Sequence, residues 1–293
     1  MKFATWIKNG REEAGIFSKD LQSVHSFNSL KLDYRSILDF IIRRGQDNSA
    51  DMDKLRCAEE TTGVLAGDVI AQAPIPVPLH DIICLGLNYK DHVKEAGRFG
   101  IDSDEKREES VYFSKRVTRA LGYGGIIENH FDINGRLDYE AELAVVIGRD
   151  ARRVKRENAW DYVFGLCCFN DLSARDLQRD HKQWYFGKSL DTFTAYGPYI
   201  VTLDEFETPL RLAVCSRVNG EQRQNGNTSD LIFPPDFIIE ELSQGITLNA
   251  GDIIATGTPA GVGAGFTPHR CMNTGDVCEI EIEGCGVLRN IVG

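Results

Sequence analysis

Two glutamates placed two apart in an apolar run constrain this chain most. The segment Asp138-Tyr-Glu-Ala-Glu-Leu-Ala-Val-Val-Ile-Gly148 holds strong β-formers and ends in glycine, so it reads as a strand. Side chains on a strand alternate between faces, and Glu140 and Glu142 therefore point the same way. Tyr139, Ala141 and Leu143 take the other face. Two adjacent carboxylates on a mostly apolar strand repel each other and resist burial. A divalent cation resolves that conflict, and a third acid completes a cage. Asp171, in Cys-Cys-Phe-Asn-Asp171-Leu-Ser-Ala-Arg-Asp-Leu-Gln178, is the candidate. The plainer reading is an exposed strand edge with two solvated glutamates and a helix-capping aspartate.

The ligand type selects the metal. Three carboxylates are hard oxygen donors, which suits Mg²⁺ or Mn²⁺ rather than Zn²⁺. They leave roughly three of six octahedral positions for water and a chelating substrate.

The charge balance excludes several partners. The chain has 293 residues and a net charge of −11, so neither nucleic acid nor an anionic membrane is expected as its main partner. No stretch has the apolar length of a membrane span. The opening Met-Lys-Phe-Ala-Thr-Trp-Ile-Lys meets charge at once and is not read as a signal peptide. A cytoplasmic protein is expected. The eight cysteines include no Cys-X-X-Cys pair, and most lie in apolar runs. They read as buried thiols in a reducing compartment. Cys167 and Cys168, just before Asp171, are the first candidates for any redox or nucleophilic role.

Residues 1–75 read as a small α/β domain. Strand-like pieces at 2–7 and 13–17 precede an amphipathic stretch at 33–44, a polar segment at 45–52 and a second helix. The run Ala73-Pro-Ile-Pro-Val-Pro78 favours an extended linker and places a boundary near residue 75. In residues 76–293, short strands alternate with glycine-rich turns, and helices are expected at 157–162 and 235–243. This is the pattern of a β-rich α+β domain. A charged stretch at 99–109 reads as a mobile loop.

Further residues could carry chemistry. His92 and Glu95 lie three apart, on one face of a helical turn, where a carboxylate fixes the imidazole and raises its basicity. The alternative is an ordinary exposed helix pair. Arg175 and Gln178 follow Asp171 at helical spacing and suit an anionic ligand, or a plain surface helix. Lys188 could stabilise an enolate, although a lone lysine is usually solvated. The turn Gly257-Thr258-Pro-Ala-Gly261-Val-Gly263 exposes backbone N–H groups and a hydroxyl that can hold a carboxylate. It matches neither a P-loop nor a dinucleotide-binding fingerprint.

The joint order of these segments is more specific than any one of them. From residue 80 the chain resembles the fumarylacetoacetate hydrolase family. The resemblance rests on Asn88-Tyr-Lys-Asp-His92, Tyr139-Glu-Ala-Glu-Leu143, Asn170-Asp-Leu-Ser-Ala-Arg-Asp-Leu-Gln178, Gly187-Lys-Ser-Leu-Asp-Thr192, Val218-Asn-Gly-Glu-Gln-Arg-Gln224 and Gly257 to Gly263. It implies a mixed, rolled β-sheet, a homodimer, and Mg²⁺ or Mn²⁺, with Ca²⁺ as a further option. By position it implies Glu140, Glu142 and Asp171 as metal ligands and His92 with Glu95 as a dyad that activates water. Arg175, Gln178, Lys188 and Thr258 fall at positions contacting a keto-acid substrate. Two departures fall where substrate side groups bind in the family: Lys115 is followed by arginine rather than proline, and the lid between Glu95 and Val111 is long.

The expected reaction is metal-dependent hydrolysis of a C–C bond in a 2,4-dioxo acid of the acylpyruvate type. Oxaloacetate decarboxylation, or isomerisation of an unsaturated hydroxy-dioate, could run on the same site. A non-catalytic dimeric module binding a keto acid is the alternative of another class.

Overall fold

The computed structural model describes residues 1–43, 49–97 and 109–293. The charged loop expected at 99–109 lies outside the described residues except for Glu109, as does the first part of the polar segment at 45–52.

An 11-stranded mixed sheet forms the centre of the molecule. Its middle strands are Thr194–Thr202, Val163–Asp171, Ala141–Ile147, Ile253–Ala255 and Ile82–Gly86, in that spatial order. Neighbours pair antiparallel except Ile253–Ala255 with Ile82–Gly86, which run parallel. A five-stranded sheet packs on one side, built from Glu221–Asn227, Ala213–Val218, Val277–Ile282, Gly286–Val292 and Ile126–Ile127. Its inward residues, among them Val214, Ile280, Ile282 and Leu288, share a core with Leu143, Val145 and Leu166 of the central sheet. The architecture is strand-rich α+β, as the sequence pattern predicts.

The N-terminal strands Lys2–Lys8, Arg11–Phe17 and Ser23–Ser26 extend the same central sheet. The join is an antiparallel pairing of Lys2 and Phe3 with Val201 and Ile200. Phe3 packs against Phe40 of the helix Ile37–Arg43 and against Phe164 of the central sheet. The proline-rich segment that follows is packed rather than a free linker. Ala73 to Pro76 are buried, the Thr5 hydroxyl donates to Pro74 O at 2.7 Å, and Ala120 N donates to Pro76 O at 2.8 Å. Prolines donate no backbone hydrogen bond, but their carbonyls still accept, and here neighbouring groups use them.

Several strands lie where the sequence pattern marks none, three of them close to the site or its core. Val163–Asp171 is buried at every position, so it carries no period-two alternation to read. Glu221–Asn227 is almost wholly polar and is held by pairing with Ala213–Val218. The turn between them uses Asn219 and Gly220, both with positive φ (53° and 79°), the geometry that an Asn-Gly hairpin demands. Val111–Lys115 pairs antiparallel with Ile82–Gly86 and forms the far edge of the central sheet. The segment expected as a helix at 157–162 is a 3₁₀ helix, Arg156–Tyr162. Among the described residues no helix is long and apolar enough to cross a membrane.

Candidate metal centre

Strand register assembles the acids. Ala141 pairs with Asn170 and Glu142 with Phe169, and Asp171 N donates to Glu140 O at 3.0 Å. Glu140 therefore lies across from Asp171, and Glu142 projects from the same face two residues on. Glu140 stands one residue before the strand proper. All three acids are buried, and one carboxylate oxygen from each lies within 4.8 Å of the others.

Cations surround two of the three acids. Lys188 Nζ lies 2.8 Å from Glu140 Oε2 and 2.7 Å from Asp171 Oδ2. Arg175 Nη1 lies 2.7 Å from Glu140 Oε1. Burial alone would push Glu140 upward, but Lys188 and Arg175 outweigh it and hold the carboxyl at about 2. Glu142 goes the other way. Burial raises its pKa well above the usual carboxylate range, and repulsion from Asp171 and Glu140 adds to that. Gly257 N donates to Glu142 Oε2 at 2.8 Å, which offsets little of it. A buried acid facing two others is the situation that a divalent cation relieves, and a set of carboxylate oxygens is the donor chemistry that hard cations take. Glu140, Glu142 and Asp171 fit such an ion.

Two residues to which the sequence reading gives no role in the charge network complete it. Lys115 is fully buried; its Nζ donates to Asp171 Oδ1 and, at 3.0 Å, to Leu172 O. Asp138 is also fully buried. It accepts from Arg175 Nε at 2.8 Å, Gly263 N at 2.7 Å and Ala264 N at 2.8 Å. One carboxylate thus fixes both the Arg175 guanidinium and the loop after Gly261. The Lys-Arg pair at 115–116 and the Asp-Tyr-Glu start of the strand were the available signals. Neither distinguishes a buried ion from a solvated one.

The His–Glu pair forms on the helix Lys90–Ala96. His92 Nδ1 lies 2.9 Å from Glu95 Oε2, and Glu95 Oε1 accepts Gly261 N at 3.0 Å. Both side chains are buried, so this is not the exposed helix pair of the plainer reading. Asn88 anchors the start of the helix. Its amide donates to Phe233 O at 2.9 Å and Thr256 O at 2.8 Å, and accepts Phe233 N at 2.8 Å. Gly265 makes the seat possible, because a Cβ there would lie 2.0 Å from Glu95 Oε1.

A narrow cavity of about 10 Å³ joins these groups; His92, Glu140, Arg175, Gln178, Lys188 and Thr258 line its polar side. The Gln178 carbonyl accepts Arg175 Nη1 at 3.0 Å. The Thr258 hydroxyl donates to Ala141 O at 2.9 Å and accepts Gln224 Nε2 at 2.6 Å. Six of the nine candidates for metal, dyad and substrate therefore line one cavity, and Glu95, Glu142 and Asp171 join them through His92, Glu140 and Lys188. Cys167 and Cys168 do not join them; burial raises both thiols, Cys168 to about 12. They pack in the sheet as small hydrophobes.

Comparison with known proteins agrees with this geometry. The model for the fumarylacetoacetate (FAA) hydrolase C-terminal region matches residues 81–293. The chain is 48% identical over 226 residues to the oxaloacetate tautomerase YisK of Bacillus subtilis (strain 168), covering 77% of this chain and 74% of that protein. It superimposes on the fumarylacetoacetate hydrolase EaFAH of the psychrophile Exiguobacterium antarcticum with a TM-score of 0.84 at 39% identity, over 100% and 99% of the two chains. A maleylpyruvate hydrolase from Sphingobium sp. SYK-6, solved with manganese(II) and pyruvate, superimposes with a TM-score of 0.78 at 28% identity, over 100% and 98%. With its carboxylates buried on the paired strands and this match over the last 213 residues, the chain belongs to the fumarylacetoacetate hydrolase family as a metal-site enzyme.

Proposed function

We propose that the protein moves a proton at the carbon beside the keto group of a short 2-oxo diacid, with keto–enol tautomerisation of oxaloacetate as the leading reaction. The observation that carries this reading is the 48% identity to an oxaloacetate tautomerase over three-quarters of both chains. The site chemistry supports it. Tautomerisation needs a base at carbon, positive charge at the developing enolate oxygen, and an anchor for the carboxylate.

Each role has a residue. Glu95 accepts from His92 Nδ1, which assigns the proton transfer to Nε2 of an imidazole that lines the cavity. His92 takes the proton from carbon and returns it to the other tautomer. Lys188 places its ammonium beside the enolate oxygen. Gln178 and the N–H groups around Thr258 hold the carboxylate, since the Thr258 hydroxyl proton is already given to Ala141 O. Arg175, tied to Asp138 and Glu140, supplies fixed positive charge behind them. Bound at Glu140, Glu142 and Asp171, a divalent metal would supply Lewis acidity toward a chelating keto acid. Mg²⁺ or Mn²⁺ is the ion of this reading, with Ca²⁺ as a further option. Residues 76–293 carry the whole site, and residues 1–75 support it as a small unit on the sheet edge. A homodimer and a cytoplasmic setting belong to the same reading.

Hydrolysis of an acylpyruvate, the reaction the sequence order implies, is the second reading. It is favoured by the likeness to EaFAH and to the maleylpyruvate hydrolase. There His92 would deprotonate a water instead of carbon. Loss of the enol absorbance of oxaloacetate, followed beside pyruvate release from oxaloacetate and from a short acylpyruvate, separates the reactions. Metal-dependent enol loss without pyruvate is the expected result. Pyruvate release from the acylpyruvate alone would move the assignment to hydrolysis, and release from oxaloacetate alone to decarboxylation.

A further inference from the structure

The largest ring on the apolar side of the cavity is that of Trp184. Trp184 lies so near Gly86 that a Cβ on that glycine would sit 2.2 Å from Trp184 Cζ3 and 2.7 Å from Cη2. The indole also meets the Phe113 ring edge-on, with centroids 5.2 Å apart at 74°. Phe113 stands on Val111–Lys115, opposite Cys84 of the strand that carries Gly86. On its other side Trp184 packs against the small cluster of Leu87, Val93 and Ala96, which includes the helix bearing His92 and Glu95.

Trp184 is also tied to the polar side. It precedes Lys188 by four residues, and Lys188 N donates to Trp184 O at 3.0 Å. Side chains four apart on a helical turn lie on one face. The same turn therefore sets the ammonium against Glu140 and Asp171 and the indole against Gly86. Lys188 Nζ lies 5.4 Å from the centroid of Phe113, so ammonium and aromatic wall border one another. Among the described residues, the cavity has its charged groups on one side and Leu85, Gly86, Leu87, Phe113 and Trp184 on the other. The space between the two sides is narrow, about 10 Å³, on the order of a single water, so the position of the indole decides how much room a ligand finds.

We infer that Trp184, seated on Gly86 and braced by Phe113, sets the length of the acid this site accepts. Short 2-oxo acids end before the indole; acids with a bulky or aromatic group at the far end meet the ring. Gly86 is part of the device, because any side chain there must displace the indole. The inference rests on the reading that the polar side takes a 2-oxo-acid head, and it adds the class of tail.

Calorimetric binding tests it without reference to turnover. Pyruvate and phenylpyruvate are titrated into the Mn²⁺-loaded full chain, as wild type, Trp184→Ala and Trp184→Leu, with thermal unfolding run on each to show that it is folded. Wild type should prefer pyruvate. Either truncation should shift the phenylpyruvate-to-pyruvate affinity ratio toward phenylpyruvate by about tenfold or more, the scale on which apolar pockets discriminate. An unchanged ratio in a folded truncation overturns the role of Trp184, as does wild type binding both acids equally. Failure of pyruvate to bind wild type at all would instead contradict the 2-oxo-acid reading, and the wall with it.

Discussion

Lys188 Nζ lies 2.7 Å from Asp171 Oδ2, inside the carboxylate cluster rather than beside it. This ammonium counters the repulsion among the acids, and it also competes with any cation that binds them. Replacing it by methionine should separate the two effects. Lys188→Met should bind Mn²⁺ at least as tightly as wild type, while turnover falls by about 10²–10³-fold through loss of charge at the enolate. Metal titration and steady-state rates on one preparation check this. Weaker metal binding in the variant would contradict the arrangement.

Glu142 should behave in the opposite sense. It is the acid that burial and its neighbours disfavour in charged form. Glu142→Ala should lose metal affinity as well as rate, because the remaining pair is already engaged by Lys188, Arg175 and Lys115. Elemental analysis after dialysis against Mn²⁺ reads the outcome; normal metal content would reject the cage.

The seat of the dyad can be disturbed without touching either member. A Cβ at Gly265 would overlap the Glu95 carboxylate. Gly265→Ala should displace Glu95 from Gly261 N and misplace His92. A displacement of about 1 Å is enough for a loss near 10²-fold in rate. Metal content should stay at the wild-type level, since the ligands stand on other strands. Full activity in this variant would mean that Glu95 does not orient the base.

Asp138 should matter to stability. It is fully buried and accepts hydrogen bonds from Arg175, Gly263 and Ala264. Asp138→Ala leaves the Arg175 charge short of its partner, a change that costs about 3–5 kcal/mol when an ion pair is buried. Urea unfolding of the metal-free protein measures it. A cost below about 1 kcal/mol would show that the pair is not desolvated as its burial indicates.

Alkaline pH should unfold the protein through its phenols. Burial holds Tyr196 well above its ordinary value, with its hydroxyl donating to Ile75 O, and pushes Tyr199 up to about 12. Unfolded tyrosines lose their protons near pH ~10. Above that pH the unfolded chain binds fewer protons than the folded one, so stability falls as pH rises toward the folded values. Phenolate absorbance at these groups should appear in one step with loss of far-ultraviolet ellipticity. Gradual ionisation of Tyr196 and Tyr199 before unfolding would contradict their burial.

Much of the site is legible in the chain because it follows short periodicities. Period two puts Glu140 and Glu142 on one face, and helical spacing pairs His92 with Glu95 and Arg175 with Gln178. The position of Asp171 relative to them is not legible locally. It depends on pairing with Val163–Asp171, a strand buried on both faces and free of alternation. The buried ionic roles of Lys115 and Asp138 are illegible for a related reason. A buried ion and a solvated one have the same letter, and only tertiary packing decides between them. Trp184 is hidden likewise, since its partner Gly86 lies far away in sequence and reads as an ordinary strand end.

The central claim is that His92 moves a proton at carbon without cleaving the substrate. Proton NMR of oxaloacetate in D₂O, with Mg²⁺ and either wild type or His92→Ala, tests it most directly. The account predicts that wild type accelerates deuterium incorporation at the methylene carbon without forming pyruvate, and that the variant loses about 10²–10⁴-fold of that acceleration. Exchange at equal rates in both, or pyruvate appearing as fast as deuterium enters, would contradict it.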